Sequence, residues 1–342
     1  MKSLAPRLGI ALLISIGSTH AAAQNAVKAP LPLPSKPLYV LSDHKDVAWC
    51  VVFSADGKSL FTCSGNRDAK AGELRGYDLS KGKPVQTFLA EELHGIRWIA
   101  LAPNGRVLAT AEYDGTVKFR DCATGKVLKQ FTAHPGGVQC LKFTRDGRTL
   151  VTCGKDYKAN VWDLATTKVK TTFSGHSNHV YSLDLSRDER TLLTGCRDAK
   201  AVLWDVATGQ LKGNVPGNKA SIEVVRYSPD GTMFAVAGWD WVVDVWDVPT
   251  GAKRVKLHSP GGGILAVGFS PDSKSLVAGT ETGLLEMWDV GTWRSTGSIP
   301  AHQSSIRAIA FSPDGKFFAT ASHDRTIKIW PMPAPPAEAD AE

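Results

Sequence analysis

No apolar run in this 342-residue chain reaches the roughly 18 residues needed to cross a membrane as a helix. No Cys-x-x-Cys pair occurs among the six cysteines, which removes the usual signature of zinc ribbons and thioredoxin-like redox sites. H-E-x-x-H, G-x-S-x-G, a Walker loop and a dinucleotide glycine fingerprint are all missing, so no motif points to a metalloprotease, a serine hydrolase, an NTPase or a nicotinamide enzyme. Beyond the first residues no segment of useful length has a helical period. Strong charge of one sign is missing too. The net charge is +7, and it falls to +5 when Lys2 and Arg7 are set aside with residues 1–23, too weak a surplus to argue for nucleic acid.

The start of the chain reads as a processing signal rather than as fold. Lys2 and Arg7 give a positive beginning, Leu8 to Ile16 is a short and mostly apolar run, and Ala21, Ala22 and Ala23 supply small residues for cleavage after Ala23. A membrane anchor would need a longer run, and no cysteine near Ala23 offers a site for lipid. The expectation is an exported protein, periplasmic or secreted. Export would place Cys50, Cys63, Cys122, Cys140, Cys153 and Cys196 where disulfides can form. Most of them stand inside apolar strand patterns, where a free thiol packs as a small hydrophobe, and buried thiols are the expectation.

A repeat fills the rest of the chain. "KANVWDLATTKV", "KAVLWDVATGQL", "VVDVWDVPTGAK" and "LLEMWDVGTWRS" follow one another with Trp162, Trp204, Trp246 and Trp288 spaced by 42 residues. One step on lies Trp330, one step back Arg120, and a slightly longer step back Tyr77. Each of these seven units also carries a turn upstream, such as "FSADGKSL", "FTRDGRTL" or "FSPDGKFF", in which a polar Asp-Gly-like corner joins two apolar runs. Four short strand-like runs per unit at this period are the mark of propeller blades.

These residues resemble WD40 repeats over about residues 37–332. The resemblance implies an all-β fold: a seven-bladed β-propeller of four-stranded antiparallel blades. It also implies a structural network in each blade, in which a His before the first strand, a Ser or Thr in the second, an Asp in the next turn and a Trp in the third satisfy one another. A buried Asp demands such partners. Three units carry all four: His134, Thr152, Asp156 and Trp162; His176, Thr194, Asp198 and Trp204; His302, Thr320, Asp324 and Trp330. Their recurrence at the blade period argues against a catalytic His-Asp pair. Unit two has Arg120 for Trp. Unit five has Asn218 and Val236 for His and Thr. Unit six has Pro260, Ala278 and Thr282. These three are expected to rely on apolar packing.

Unit seven ends at Trp330 before "PMPAPP", and proline has no N–H for a further strand. "PLYVL", Pro37 to Leu41, stands where other units have a fourth strand, so the N-terminal strand is expected to close the ring. Residues 24–36 then form a Pro-rich linker and 333–342 a disordered acidic tail.

The family resemblance also implies where a partner would dock: the face carrying the loops into each first strand and the turns after each second strand. Two positions per blade point there. The first-strand set is Trp49, Arg97, Gln139, Tyr181, Glu223, Leu265 and Arg307. The turn set is Tyr113, Lys155, Arg197, Trp239, Glu281 and His323, with Arg67 in the irregular first unit, whose turn "GNRDAKAGELRG" is enlarged. Trp, Tyr and Arg dominate binding hot spots. The function expected is therefore non-enzymatic: a scaffold binding a protein or peptide, partly acidic, with no cofactor or metal and no nucleic acid. The alternative is a propeller enzyme of quinoprotein-dehydrogenase-like or lactonase-like type, because "DCATGKV" and "DVATGQL" resemble the D-x-x-T-G-K element of quinoprotein blades.

Overall fold

The computed structural model describes residues 32–65, 72–92 and 94–333. The expected export signal, most of the expected linker, Arg67 with the core of its enlarged turn, and residues 334–342 lie outside the described residues.

Twenty-eight strands form seven four-stranded antiparallel sheets, and no helix occurs among the described residues. Six sheets are built from four consecutive strands each. The inner strands, Ala48–Phe53, Ile96–Leu101, Val138–Phe143, Val180–Leu185, Ile222–Tyr227, Ile264–Phe269 and Ile306–Phe311, pack against one another around a closed ring. Middle strands such as Met233–Gly238 are buried throughout because each blade is covered on both faces. Outer strands such as Val127–Thr132 are largely exposed.

The recurring motifs make the turns. In the first, the Ser54 hydroxyl donates to Asp56 at 2.6 Å and the Lys58 N–H donates to the same oxygen at 3.0 Å, while Gly57 takes φ +70°. In the third turn of blades one to six the Asp after the tryptophan position caps the corner. Asp121 Oδ1 accepts from the Thr124 N–H at 2.9 Å and its hydroxyl at 2.8 Å, and Asp205, Asp247 and Asp289 repeat the pattern. The D-x-x-T-G element is thus turn chemistry in this chain.

The seventh blade is closed by the strand Tyr39–Leu41, which pairs antiparallel with Ile327–Pro331 in the register Tyr39↔Ile329, Val40↔Lys328, Leu41↔Ile327. The fold reaches further back than the expected linker boundary. Leu33 is buried against blade six, with its N–H 3.4 Å from the Thr296 carbonyl, so that end of the segment read as linker packs on the propeller.

In blade three His134 Nδ1 stands 2.7 Å from Asp156 and Nε2 2.7 Å from the Thr152 hydroxyl, which also accepts from Trp162 at 2.8 Å. Blade four has the same chain through His176, Asp198, Thr194 and Trp204, and blade seven through His302, Asp324, Thr320 and Trp330. Burial holds the His176 and His302 imidazoles below their ordinary pKa.

Apolar packing alone in the departing blades was the wrong expectation for two of them. In blade two, the fully buried Glu112 lies 3.4 Å from Arg120 and 2.7 Å from Lys118, and accepts from Thr110 at 3.1 Å. Arg120 replaces the indole N–H with a charged donor, and Glu112 supplies its counter-charge. In blade five, buried Asp244 is paired with Lys253 at 2.7 Å, and Lys253 sits over the Trp246 ring at 4.8 Å. Because Val236 offers no hydroxyl, Trp246 Nε1 has no hydrogen-bond partner among the described residues. Blade one builds its own version: His44 bonds Thr62 at 2.8 Å and approaches Glu73 at 3.3 Å. Burial alone would raise the Glu73 carboxyl, but His44, the Lys45 N–H and Arg75 outweigh it and hold the group at about 2.

All six cysteines are free, five of them buried, and burial pushes the Cys50 thiol up to about 12. A thiol so raised is a packing group rather than a nucleophile.

Candidate functional site at the channel mouth

A β-bulge interrupts every inner strand at the same place. The ladder register skips between Ala48 and Cys50, Ile96 and Trp98, Val138 and Cys140, Val180 and Ser182, Ile222 and Val224, Ile264 and Ala266, and Ile306 and Ala308. The skipped residues are Trp49, Arg97, Gln139, Tyr181, Glu223, Leu265 and Arg307. A bulge residue is released from ladder pairing and its side chain is re-aimed. Here six of them line one end of the channel, and the seventh, Leu265, faces the channel lower down.

A backbone bond places the turn set beside the bulge set. The N–H of Tyr113, Lys155, Arg197, Trp239, Glu281 and His323 donates to the carbonyl two residues before the bulge residue of the same blade, at 2.8–3.1 Å. In blade one that bond is made by Gly65, whose N–H donates to Val47 at 3.2 Å. The position assigned to Arg67 therefore belongs to Gly65. Trp49 Nε1 reaches past it to bond the Gly65 carbonyl.

Ten of the expected residues line one depression of about 630 Å³: Trp49, Arg97, Tyr113, Gln139, Lys155, Tyr181, Arg197, Glu223, Trp239 and Arg307. The Arg97 guanidinium lies 3.9 Å from the Trp49 ring centre, that of Arg307 5.1 Å from it, and Lys155 5.2 Å from the Tyr113 ring. Trp239 is 40% exposed, with its indole N–H donated to Glu223 at 2.9 Å. Burial raises the Tyr113 and Tyr181 hydroxyls above their ordinary pKa, so both stay neutral donors.

Three expected residues stand apart from this lining. Leu265 is buried lower, where the channel narrows. Glu281 turns back to accept from the Gly263 N–H at 3.0 Å. His323 packs edge-on to Trp49 with ring centres 4.5 Å apart and accepts from Arg307 Nε at 3.0 Å. Burial, with Arg307 and Arg97 beside it, drives that imidazole down to about 3, so it is a neutral acceptor.

The depression has two further lining residues that sequence reading missed, His179 and Ser221. Each stands two residues before a bulge residue, Tyr181 and Glu223, and 42 residues from the other. The alternation of strand faces carried that signal.

Below the depression the channel narrows to a space of about 20 Å³ lined by Arg97, Trp98, Tyr181, Glu223, Arg226 and Arg307 among others. Beyond it the opposite end widens to about 560 Å³ over the far ends of the inner strands, with Phe53, Tyr227, Phe269 and Phe311 in its lining.

Among the described residues one group could offer three metal ligands: His176, Cys196 and Asp198, with ligand atoms within 4.8 Å of one another. Those atoms are already engaged. His176 and Asp198 are bonded to each other at 3.2 Å, and Cys196 Sγ donates to the Asn178 carbonyl at 3.2 Å and accepts from the Asp198 N–H at 3.3 Å.

The profile of the family described as WD domain, G-beta repeat, matches the chain seven times, at residues 35–70, 82–121, 125–163, 167–205, 209–247, 252–289 and 293–331. No curated protein matches the chain significantly.

Proposed function

Because the chain belongs to the WD40 family, whose propellers generally serve as protein-interaction scaffolds, we propose that it is a non-enzymatic scaffold that binds a protein or peptide at this channel mouth. One observation carries the proposal: the bulges of six inner strands and the turns beside them gather two Trp, two Tyr and four cations into a single depression of about 630 Å³. Trp239 and Trp49 offer rigid apolar area with a polar edge, and Arg97, Lys155, Arg197 and Arg307 outnumber Glu223. The excess of cations favours a partner that is at least partly acidic. The positive, apolar and Ala-rich start of the chain supports export to the periplasm or the medium, and N-terminal sequencing of the native protein from those fractions should begin at Gln24.

The test is capture of partners from the native extract by full-length protein, followed by binding kinetics. Trp239→Ala should speed dissociation by an amount worth about 2 kcal/mol. Arg97→Glu and Arg307→Glu should mainly slow association and flatten its salt dependence. A partner indifferent to all three changes docks elsewhere and refutes the assignment of this face.

A further inference from the structure

Resting on that reading of the face, we propose that the channel mouth is a carboxylate socket, in which Arg97 and Arg307 grip the carboxylate of an acidic side chain or of a chain terminus from the bound peptide, with the Gln139 amide as a third donor.

Arg97 is only 9% exposed, yet its one hydrogen bond among the described residues runs from Nε to Gln139 Oε1 at 3.4 Å. Among the described residues no carboxylate comes within 4.0 Å of it. A guanidinium taken out of water without a counter-charge is unfavourable. Charged groups in that condition are completed by a ligand or shifted toward neutrality, and arginine cannot shift far enough. Gln139, 2% exposed, spends its carbonyl on Arg97 and leaves its amide nitrogen without a partner.

The neighbourhood deepens the deficit. Arg307 stands on the same Trp49 ring, and its contact with Glu223 is long, at 3.8 Å. Burial, and after it the charge of Arg97, brings the Arg307 pKa down to about 10. Arg226, just below, donates to Ser182 and the Val225 carbonyl and likewise has no carboxylate within 4.0 Å among the described residues. The neck thus holds three guanidiniums against Glu223, which is itself shared with Trp239 and Ser221.

Size and shape choose the ligand. The space beneath is about 20 Å³, room for a water or a carboxylate oxygen but not for a polypeptide backbone, so a peptide ends or turns at the mouth. A planar carboxylate matches the guanidinium fork. Glu223 lines the same neck and repels a dianionic phosphate more strongly than a monoanionic carboxylate. Trp49 and Tyr113 give the wall an apolar face for the methylene stem that carries the carboxylate.

Four fluorescein-labelled hexapeptide pools of mixed sequence test this on the full-length protein by fluorescence anisotropy. The first has a free C-terminus and no acidic residue. The second has a C-terminal amide and one Glu. The third has the amide and Gln in place of that Glu, and the fourth has phosphoserine there. The first or second pool should bind at least about ten-fold more tightly than the third. Which of the two does so identifies a terminus or a side chain as the source. The advantage should vanish in Arg97→Gln, be partly kept in Arg97→Lys, and persist in Arg294→Gln, an exposed arginine elsewhere. Should Arg97→Gln fail to fold, Arg307→Gln should abolish the same advantage. Equal binding of the first three pools, still weakened by Trp239→Ala, would overturn the socket and leave the interaction face standing. Tightest binding by the phosphoserine pool would overturn the carboxylate in favour of phosphate. No binding by any pool would overturn the socket, while the face itself stands or falls with the captured partner's response to Trp239→Ala.

Discussion

Arg97 rests on Trp49, guanidinium carbon 3.9 Å from the ring centre, and each is the bulge residue of its own inner strand in adjacent blades. One geometric irregularity, repeated around the ring, brings together two side chains 48 positions apart in sequence. The indole face supplies part of the electrostatic support that this cation lacks from carboxylates. Trp49→Leu should therefore cost about 1–2 kcal/mol in denaturant unfolding, and Trp49→Phe less, because a benzene face still meets Arg97 and Arg307. Equal losses for the two variants would show that area rather than the ring quadrupole holds the pair.

The blade networks differ in how much each aspartate does. Asp198 accepts from the Ser177 N–H at 2.9 Å and the Lys200 N–H at 3.0 Å, besides His176. Asp240 receives only a long bond from the Lys219 N–H at 3.5 Å. Asp198→Ala should cost on the order of 1–3 kcal/mol or more, and Asp240→Ala clearly less. Denaturant midpoints in the reverse order would contradict this assignment.

Arg120 and Glu112 form a buried ion pair where five other blades have an indole. Arg120→Leu leaves the buried Glu112 with Lys118 as its remaining cation and should cost up to about 3–5 kcal/mol. Arg120→Trp combined with Glu112→Ser removes both charges together and should recover most of that loss, since a well-packed apolar replacement of a buried pair is often neutral. Calorimetric melting of the single and double variants measures the difference.

Ring closure by Tyr39–Leu41 should make the N-terminal segment essential. Deleting residues 24–41 removes that strand together with Leu33 and Leu41, both buried, and should cost on the order of 3–5 kcal/mol across the whole domain. Deleting residues 334–342 should leave the melting temperature unchanged. Equal melting of full-length and 24–41-deleted protein would mean that blade seven closes without its N-terminal strand.

Acid should loosen the channel mouth through His323. Its pKa is depressed from 6.5 to about 3, so the folded state binds this proton less readily than the unfolded chain does. The stability it confers is complete above about pH 6.5 and is lost as pH falls from there toward 3. His323→Gln should flatten the fall of the denaturant midpoint between pH 6.5 and 4 by about one proton's worth of slope. An unaltered slope would show that this imidazole titrates normally.

Much of this was legible in the chain itself. The 42-residue spacing of Trp162, Trp204, Trp246 and Trp288 determined the blade count, because each blade must repeat the same packing unit around the ring. The Ser-x-Asp-Gly corners and the Asp-x-x-Thr-Gly corners could be read because local hydrogen bonds and positive-φ glycines make them. The proline after Trp330 announced that blade seven would need a strand from elsewhere. Other features have no local signature. Glu112 and Arg120 look like surface residues in sequence; only the sheet sets them face to face, in a place where burial forces each to find the other. Gly65 rather than Arg67 holds the blade-one position because an irregular turn shifts the count, and backbone bonding alone reveals it. Above all, the bulge residues are Trp, Arg, Gln, Tyr, Glu, Leu and Arg, with no type in common. A bulge is a property of how two strands pair and how the ring is closed, so nothing in any one residue encodes it. The repeat register determined which positions point to the channel; the pairing of strands decided that each is released from its ladder there, and which of them touch.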